Sequence, residues 1–229
     1  IKNIIGFFPV RNPILRRLRK LTEDIDKSSL ERLVGYFLWI PEIIKMRLFS
    51  KKIKNNLSGY NSTDNLKNIL KKIPLEKNPL NQMLFLEMKG FLVDHNLNYT
   101  DKMSMANGVE ARVPYLDLEV VNFSTTIPPS LKMKNGQVKY ILKKVAERYL
   151  PNEIIYRPKT GFGAPIRKWI TEDLDEMISE RLSNKSLRDR GIFDSEAVWD
   201  LIKQNKKGEI DSSYTIWSLL AIESWMVKF

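Results

Sequence analysis

Apolar residues in this 229-residue chain recur at the three- to four-residue period of a helix almost throughout, and alternating strand-like runs are scarce. That periodicity predicts a mainly α architecture. SLERLVGYFLWI puts Leu30, Leu33, Val34, Phe37 and Leu38 on one face with Ser28 or Ser29 as cap, and Pro41 restarts a second helix, PEIIKMRLF. Asn61 to Lys72 reads as a short polar helix ended by Pro74. After Pro79, NQMLFLEMKGFLVDHNL is apolar on nearly every side, the pattern of a buried helix. Another helix is predicted to start near Asn135 and Gly136, with Val138, Ile141, Leu142, Val145 and Tyr149 as its stripe, and to stop at Pro151. Pro165 opens IRKWITEDLDEMISERL, and the final SSYTIWSLLAIESWMVKF is apolar enough that it must pack against something, whether internally or across a homodimer. Trp39, Trp169, Trp199, Trp217 and Trp225 are expected in the core, and Met103 and Met105 read as packing residues. The polar stretches 55–65 and 205–213 are loops too short for domain linkers, so residues 1–229 read as one helical region, with a basic part over 1–78 and the remainder over 79–229.

Composition removes several chemistries. The chain has no cysteine, which excludes disulfide scaffolds, Cys-ligated zinc and thiol nucleophiles. His95 alone allows at most one Ser-His-Asp triad and no two-histidine metal motif, and it reads as a helix-end or packing residue. No stretch approaches eighteen uncharged apolar residues, so no transmembrane helix is expected. The chain begins with Ile1 and no signal-like segment follows, which suggests an internal fragment. Of the net charge of +11, eight units fall within residues 1–60, densest at Arg11, Arg16, Arg17, Arg19 and Lys20 and again at Lys45, Arg47, Lys51, Lys52 and Lys54. Such segments could lie on anionic lipid or track phosphates; equally they could be solvated helix faces or meet an acidic neighbouring part of the same protein. With no nucleic-acid motif or stacking signature alongside, the latter readings are preferred, and neither nucleic acid nor membrane is expected as a partner.

Two segments do not read as ordinary core. In DKMSMANGVEARVPYLD, residues 101–117, Gly108 lets the chain leave the preceding helix and Pro114 biases Val113 toward an extended conformation. An extended stretch over 109–115 projects Glu110 and Arg112 to one face and Ala111 and Val113 to the other. A carboxylate beside a guanidinium can orient an acidic or amino substrate, and a desolvated Glu can move protons. The alternative is an ion pair stitching a loop to a helix, with Asp117 N-capping LEVVNFS. In YRPKTGFGAPIRKW, residues 156–169, Lys159 stands between Pro158 and the pair Gly161 and Gly163, ahead of a Pro-initiated helix. Glycines admit a bulky anion, a helix N-terminus offers free N–H donors, and a flexible ammonium can follow charge developing on a phosphoryl group. The alternative is a surface loop with a solvated lysine. Neither segment is a Walker loop or a Rossmann fingerprint.

Taken in order, MSMANGVEARVPYLDLEVV, IPPSLKMKNGQVKYILKKV, YLPNEIIYRPKTGFGAPIRKWI and TIWSLLAIESW resemble the C-terminal part of the synthetase domain of glutamine-hydrolysing asparagine synthetases, from about Leu92 to the C-terminus. The pairing of ExRVPxLD with a downstream RPKxGFGxP is specific. The resemblance implies a reaction in which ATP adenylates the side-chain carboxylate of aspartate, releasing pyrophosphate, and ammonia from glutamine then attacks the acyl-adenylate to give asparagine and AMP. By position, Lys159 matches the loop lysine that stabilises phosphate charge, and Gly161 and Gly163 support that loop. Glu110 and Arg112 match the ExR positions lining the site, Glu110 for proton transfer or orientation and Arg112 for substrate binding. Asp117 and Lys139 also match and are given structural roles.

The departures are equally informative. The family's catalytic cysteine, SGGxDS pyrophosphate loop and DELFGGY-type segment are absent from this chain. The resemblance therefore implies the helical C-terminal half of an α/β pyrophosphate-loop synthetase domain, of the adenine nucleotide alpha hydrolase-like kind, with the parallel sheet and most of the site for ATP and Mg upstream. It implies a cytoplasmic enzyme whose isolated fragment is inactive. Within the superfamily, lactam-forming synthetases, lasso-peptide cyclases and amidotransferases that modify surface sugars share the adenylation and differ in acceptor. A non-catalytic helical module with a basic face is the remaining alternative.

Overall fold

A computed structural model describes residues 26–74, 78–158 and 163–229. The chain is mainly helical. In chain order the helices are α1 (Ser29–Gly35), α2 (Glu42–Leu48), α3 (Lys51–Asn56), α4 (Asp64–Leu70), α5 (Pro79–Lys89), α6 (Asn98–Met105), α7 (Leu118–Thr126) and α8 (Pro129–Lys132). A hairpin of β1 (Met133–Lys134) and β2 (Gln137–Val138) follows, then α9 (Tyr140–Ala146), α10 (Asn152–Ile155), α11 (Ile166–Lys168), α12 (Asp175–Arg181), α13 (Asn184–Arg190), α14 (Ser195–Lys207) and α15 (Ser213–Lys228). The described residues form two compact units: 26–67 join 163–229 in one, and 68–74 with 78–158 make the other.

The first unit carries the larger core. Leu187, Val198, Ile202, Ile216 and Leu219 are almost wholly buried in it, and α13, α14 and α15 supply them at helical spacing. Each of the first two helices is bounded by recognisable chemistry. Ser183 and Asp194 accept hydrogen bonds from the first-turn N–H groups of α13 and α14, and Gly191 and Gly208 leave those helices in the left-handed region. The segment after α2 joins this core from far away in sequence: Ser50 N–H donates to the Ile192 carbonyl (2.8 Å), Asp194 N–H to the Leu48 carbonyl (2.8 Å), and the Phe49 and Phe193 rings stack. Trp199 packs against the same core and donates its indole N–H to the Leu182 carbonyl (2.9 Å).

Glu223 is buried in this unit, 1% exposed on α15. Among the described residues neither of its oxygens receives a hydrogen bond, and the Arg190 Nε stands 3.6 Å away. Burial pushes the Glu223 carboxyl above its ordinary value and Arg190 opposes the shift in part. A carboxyl raised in the folded state contributes stability below its ordinary value of 4.5, and that stability is lost as pH rises through the raised value. Ionising this buried carboxyl as pH rises therefore costs stability. Glu223→Gln should lose less stability than the parent chain as pH rises from 4.5 to 7. Urea denaturation across that range checks it, and a Gln variant less stable at pH 7 would mean that the pair with Arg190 is net favourable.

Several expectations are corrected. Helix α1 begins at Ser28, whose hydroxyl and the Glu31 carboxylate form a reciprocal capping box, but it stops at Gly35 rather than running to Ile40. The segment after Pro79 is not one buried helix: α5 gives way to a π-helical turn over Leu92–Leu97 before α6, and of α5 only Leu86 is buried while Leu84 and Val93 are exposed. No helix starts at Asn135. Asn135 (φ 49°) and Gly136 (φ 75°) are instead the two central residues of a tight hairpin turn, the left-handed pair that Asn-Gly favours, and α9 begins only at Tyr140. Its expected stripe is largely exposed, Val138, Leu142, Val145 and Tyr149 among it. The helix from Pro165 is broken into α11, a π turn over Trp169–Asp173, and α12. Trp169 and Trp217 pack against the first unit's core as expected, but Trp39 and Trp225 are exposed, as are Met103 and Met105.

Candidate functional site

In the second unit the chain leaves α6 through Gly108, whose φ of 69° is the left-handed exit for which glycine is suited; Val109 N–H closes back on the Ser104 carbonyl (3.0 Å). Residues 109–113 carry no helix, and a 3-10 turn over Pro114–Leu116 follows. Asp117 then accepts from Glu119 N–H (2.9 Å) and Val120 N–H (3.3 Å), capping α7 as its sequence context predicts. Both ends of the ExR segment are thus held by backbone geometry.

Between them, the Arg112 guanidinium donates to the Glu110 carboxylate at 3.3 Å, so the extended stretch does bring the two side chains to one face. Their side chains are 83% and 70% exposed. A pair so open to water contributes well under about 1 kcal/mol to the fold, and it links two residues of one segment rather than the segment to a helix. It presents a carboxylate and a planar cation outward, and the desolvation that proton transfer by Glu110 would require is not supplied by the described residues around it.

The same segment ends in a groove. Tyr115 and Leu116 line a cleft of about 690 Å³ in the second unit, together with Leu84, Met88 and Lys132. Lys132 donates to the Asn81 side-chain oxygen (2.9 Å), and burial lowers its ammonium below the usual lysine range. Nothing in the sequence pattern singles out Lys132, because a lysine between a Pro-Pro step and a hairpin looks solvated.

Lys159 and Gly161 lie outside the described residues. Gly163 is described, and a Cβ built there would meet nothing within 4 Å among the described residues. The α-helix beyond Pro165 lasts only three residues before widening, so the partial charge at its start is that of a short helix. Upstream of the loop, Tyr156 O–H donates to the Glu147 carboxylate, Lys144 donates to the same oxygen (2.7 Å), and the Lys143 ammonium sits 5.3 Å from the centre of the Tyr156 ring. Lys139, at φ 57°, ends the hairpin and starts α9. His95 stacks on Phe91 with ring centres 4.6 Å apart, the packing role expected of it.

Among the described residues, no group of three His, Asp or Glu side chains stands close enough to hold a metal ion, so the ExR segment does not by itself make a magnesium site. No helix among them is long and apolar enough to cross a membrane.

The asparagine synthase family model matches residues 7–227. Similar proteins include asparagine synthetase [glutamine-hydrolyzing] 1 of Bacillus subtilis, 31% identical over 183 residues, covering 78% of this chain and 29% of that protein. A putative asparagine synthetase [glutamine-hydrolyzing] of Mycobacterium tuberculosis is 30% identical over 152 residues, covering 66% of this chain and 23% of that protein. The amidase chyE of Penicillium rubens is 28% identical over 133 residues, covering 55% of this chain and 20% of that protein. The chain thus spans less than a third of the length of these relatives. No solved structure matches it.

Proposed function

Because the chain belongs to the asparagine synthase family, we propose that it is the helical C-terminal part of an ATP-dependent amide-forming synthetase domain whose pyrophosphate loop and parallel sheet are supplied by upstream residues. In this reading, ATP and aspartate are bound by the complete domain, the aspartate side chain attacks the α-phosphorus, pyrophosphate leaves, and ammonia displaces AMP from the acyl-adenylate. This chain contributes three groups. Arg112 meets the aspartate carboxylate, for which a planar guanidinium is suited. Glu110 orients the substrate or takes the proton released as ammonia attacks, once the rest of the domain covers it and removes water. Lys159, on its glycine-flanked segment, stabilises negative charge on the phosphates as it develops. Magnesium bound with ATP would polarise the phosphoryl group, with ligands from the upstream part.

The observation that carries the reading is the ExRVPxLD and RPKxGFGxP pairing inside a chain matched over nearly its whole length. A further feature supports an upstream partner region, and another bears on the basic groups of the first unit. Leu118 and Phe123 of α7 and Ile154 of α10 are exposed, an apolar surface of a kind that covered faces carry. Two basic groups of the first unit pair within the chain, Lys45 with Glu42 (2.7 Å) and Arg47 with Asp200, and are thereby matched by its own carboxylates. A glutaminase region supplying ammonia, a homodimer and a cytoplasmic setting belong to the same proposal.

Aspartate-dependent exchange of pyrophosphate into ATP tests it. The isolated 229-residue polypeptide should show none, and the full-length protein should show it. Exchange by the isolated polypeptide would overturn the division of the site; full-length exchange driven by another carboxylate would transfer the reading to an amidotransferase or lactam-forming synthetase.

A further inference from the structure

A second cleft, of about 490 Å³, lies within the first unit, between the residues after Pro165, the end of α14 and the start of α15. It has no part in the reaction set out above, and its volume is that of a small-molecule site. Arg167 and Lys168 line it. The Arg167 Nε donates to both oxygens of Asp211 (3.2 and 2.9 Å), and its guanidinium lies over the Tyr214 ring, 5.0 Å from the centre. One edge of the fork is thus spent on fixing it in place, while among the described residues its two terminal nitrogens make no hydrogen bond. Lys168 forms no ion pair among those residues either, and its side chain is exposed.

Asn205, at the end of α14, also lines the cleft and is only 5% exposed. Its side-chain oxygen is committed, since Ser212 N–H donates to it at 2.7 Å and the Ser213 hydroxyl at 3.4 Å. That fixes the orientation of the amide and leaves its nitrogen buried with no acceptor among the described residues, a costly arrangement for an N–H donor. Ser213 lines the cleft too and opens the 16-residue α15, whose N-cap residue Ser212 makes no side-chain cap. The remaining charged groups of the lining are Lys206, paired with Asp175 at 2.8 Å, and Glu172.

We propose that this cleft binds the phosphate group of a small metabolite, held by the free edge of Arg167, the Lys168 ammonium, the Asn205 amide and the start of α15. A phosphate dianion carries three acceptor oxygens, so it can meet a planar fork, a flexible ammonium and neutral N–H donors arriving from different directions, which a flat carboxylate does less well. Asp211 is already matched by Arg167. Glu172 has no ion pair among the described residues, and its repulsion confines the phosphate to the Arg167 end of the cleft.

Calorimetric titration of the full-length protein with inorganic phosphate, at fixed ionic strength, tests the proposal. Arg167→Gln and Lys168→Gln alter side chains that reach solvent, and thermal midpoints matching the parent's verify that both variants are folded. Each should weaken phosphate binding by about tenfold, Glu172→Gln should tighten it by about threefold, and acetate at the same ionic strength should bind the parent about tenfold more weakly than phosphate. Phosphate taken up at the reaction site is common to parent and variants, so the difference between them reports this cleft whether or not the synthetase reading holds. Absence of phosphate binding, or binding that neither cation substitution changes, overturns the proposal; acetate binding as tight as phosphate overturns the choice of ligand.

Discussion

Lys159→Ala in the full-length protein should reduce aspartate-dependent ATP–pyrophosphate exchange by about a hundred- to a thousandfold, the loss that follows removal of one preorganised donor to developing charge. The deficit should appear in kcat, since the additional charge on the oxygen bridging the α- and β-phosphorus develops only as that bond breaks in the chemical step. Lys159→Arg is the informative second variant. It keeps the charge but replaces a compact ammonium on a flexible stem with a planar fork, and should recover only part of the lost rate. Rapid-quench measurement of acyl-adenylate formation checks both. A stable Lys159→Ala protein with full activity would remove this lysine from the catalytic machinery, even though it occupies the family's position in RPKxGFGxP.

The second large effect concerns stability. Trp199→Ala should cost about 3 kcal/mol in urea denaturation, whereas Trp225→Ala should cost less than about 0.5 kcal/mol. Trp199 packs on the core of α12 to α15 and satisfies the Leu182 carbonyl with its indole N–H, so truncation leaves both a void and an unpaired acceptor. Trp225 is 62% exposed near the end of α15, where its ring meets only the tilted ring of Phe229 among the aromatic contacts described. If the two variants were equally destabilised, the face of α15 that carries Trp225 would have to be covered in solution.

That contrast shows how far residue type alone could be taken. Five tryptophans in helical patterns invite one reading for all of them, yet what decides their fate is which face of the helix meets another helix, a property of tertiary placement that periodicity does not encode. Local chemistry was more legible. Pro41 and Pro79 mark helix starts, Asp117 caps α7, Gly108 ends α6, and the alternation around Glu110 and Arg112 correctly brings the carboxylate and the guanidinium together. At Asn135 and Gly136 the Asn-Gly step is the stronger short-range signal, and its turn overrides the helical spacing of the apolar residues that follow. Helices α13 and α14 are not among the elements anticipated from the sequence, although Ser183 and Asp194 as caps, Gly191 and Gly208 as exits and the Val198, Leu201 and Ile202 spacing of α14 all stand in it. For the candidate site, the extended ExR segment could be read from spacing, whereas the groove floored by Lys132 could not, because it exists only once α5, α7 and α8 are brought together.

The union of the chain's beginning and end in one unit has a consequence in time. Ser50 donates its hydroxyl to the Gly191 carbonyl, 141 residues further on. A ribosome adding about 5–20 residues per second needs on the order of ten seconds to supply that partner, plus the delay while it clears the exit tunnel. Throughout that interval α2 and the segment after it have emerged without the surface they are made to meet, while the whole of the intervening unit can finish folding ahead of them. The segment around α2 therefore waits without its partner surface until α13 and the start of α14 have been made.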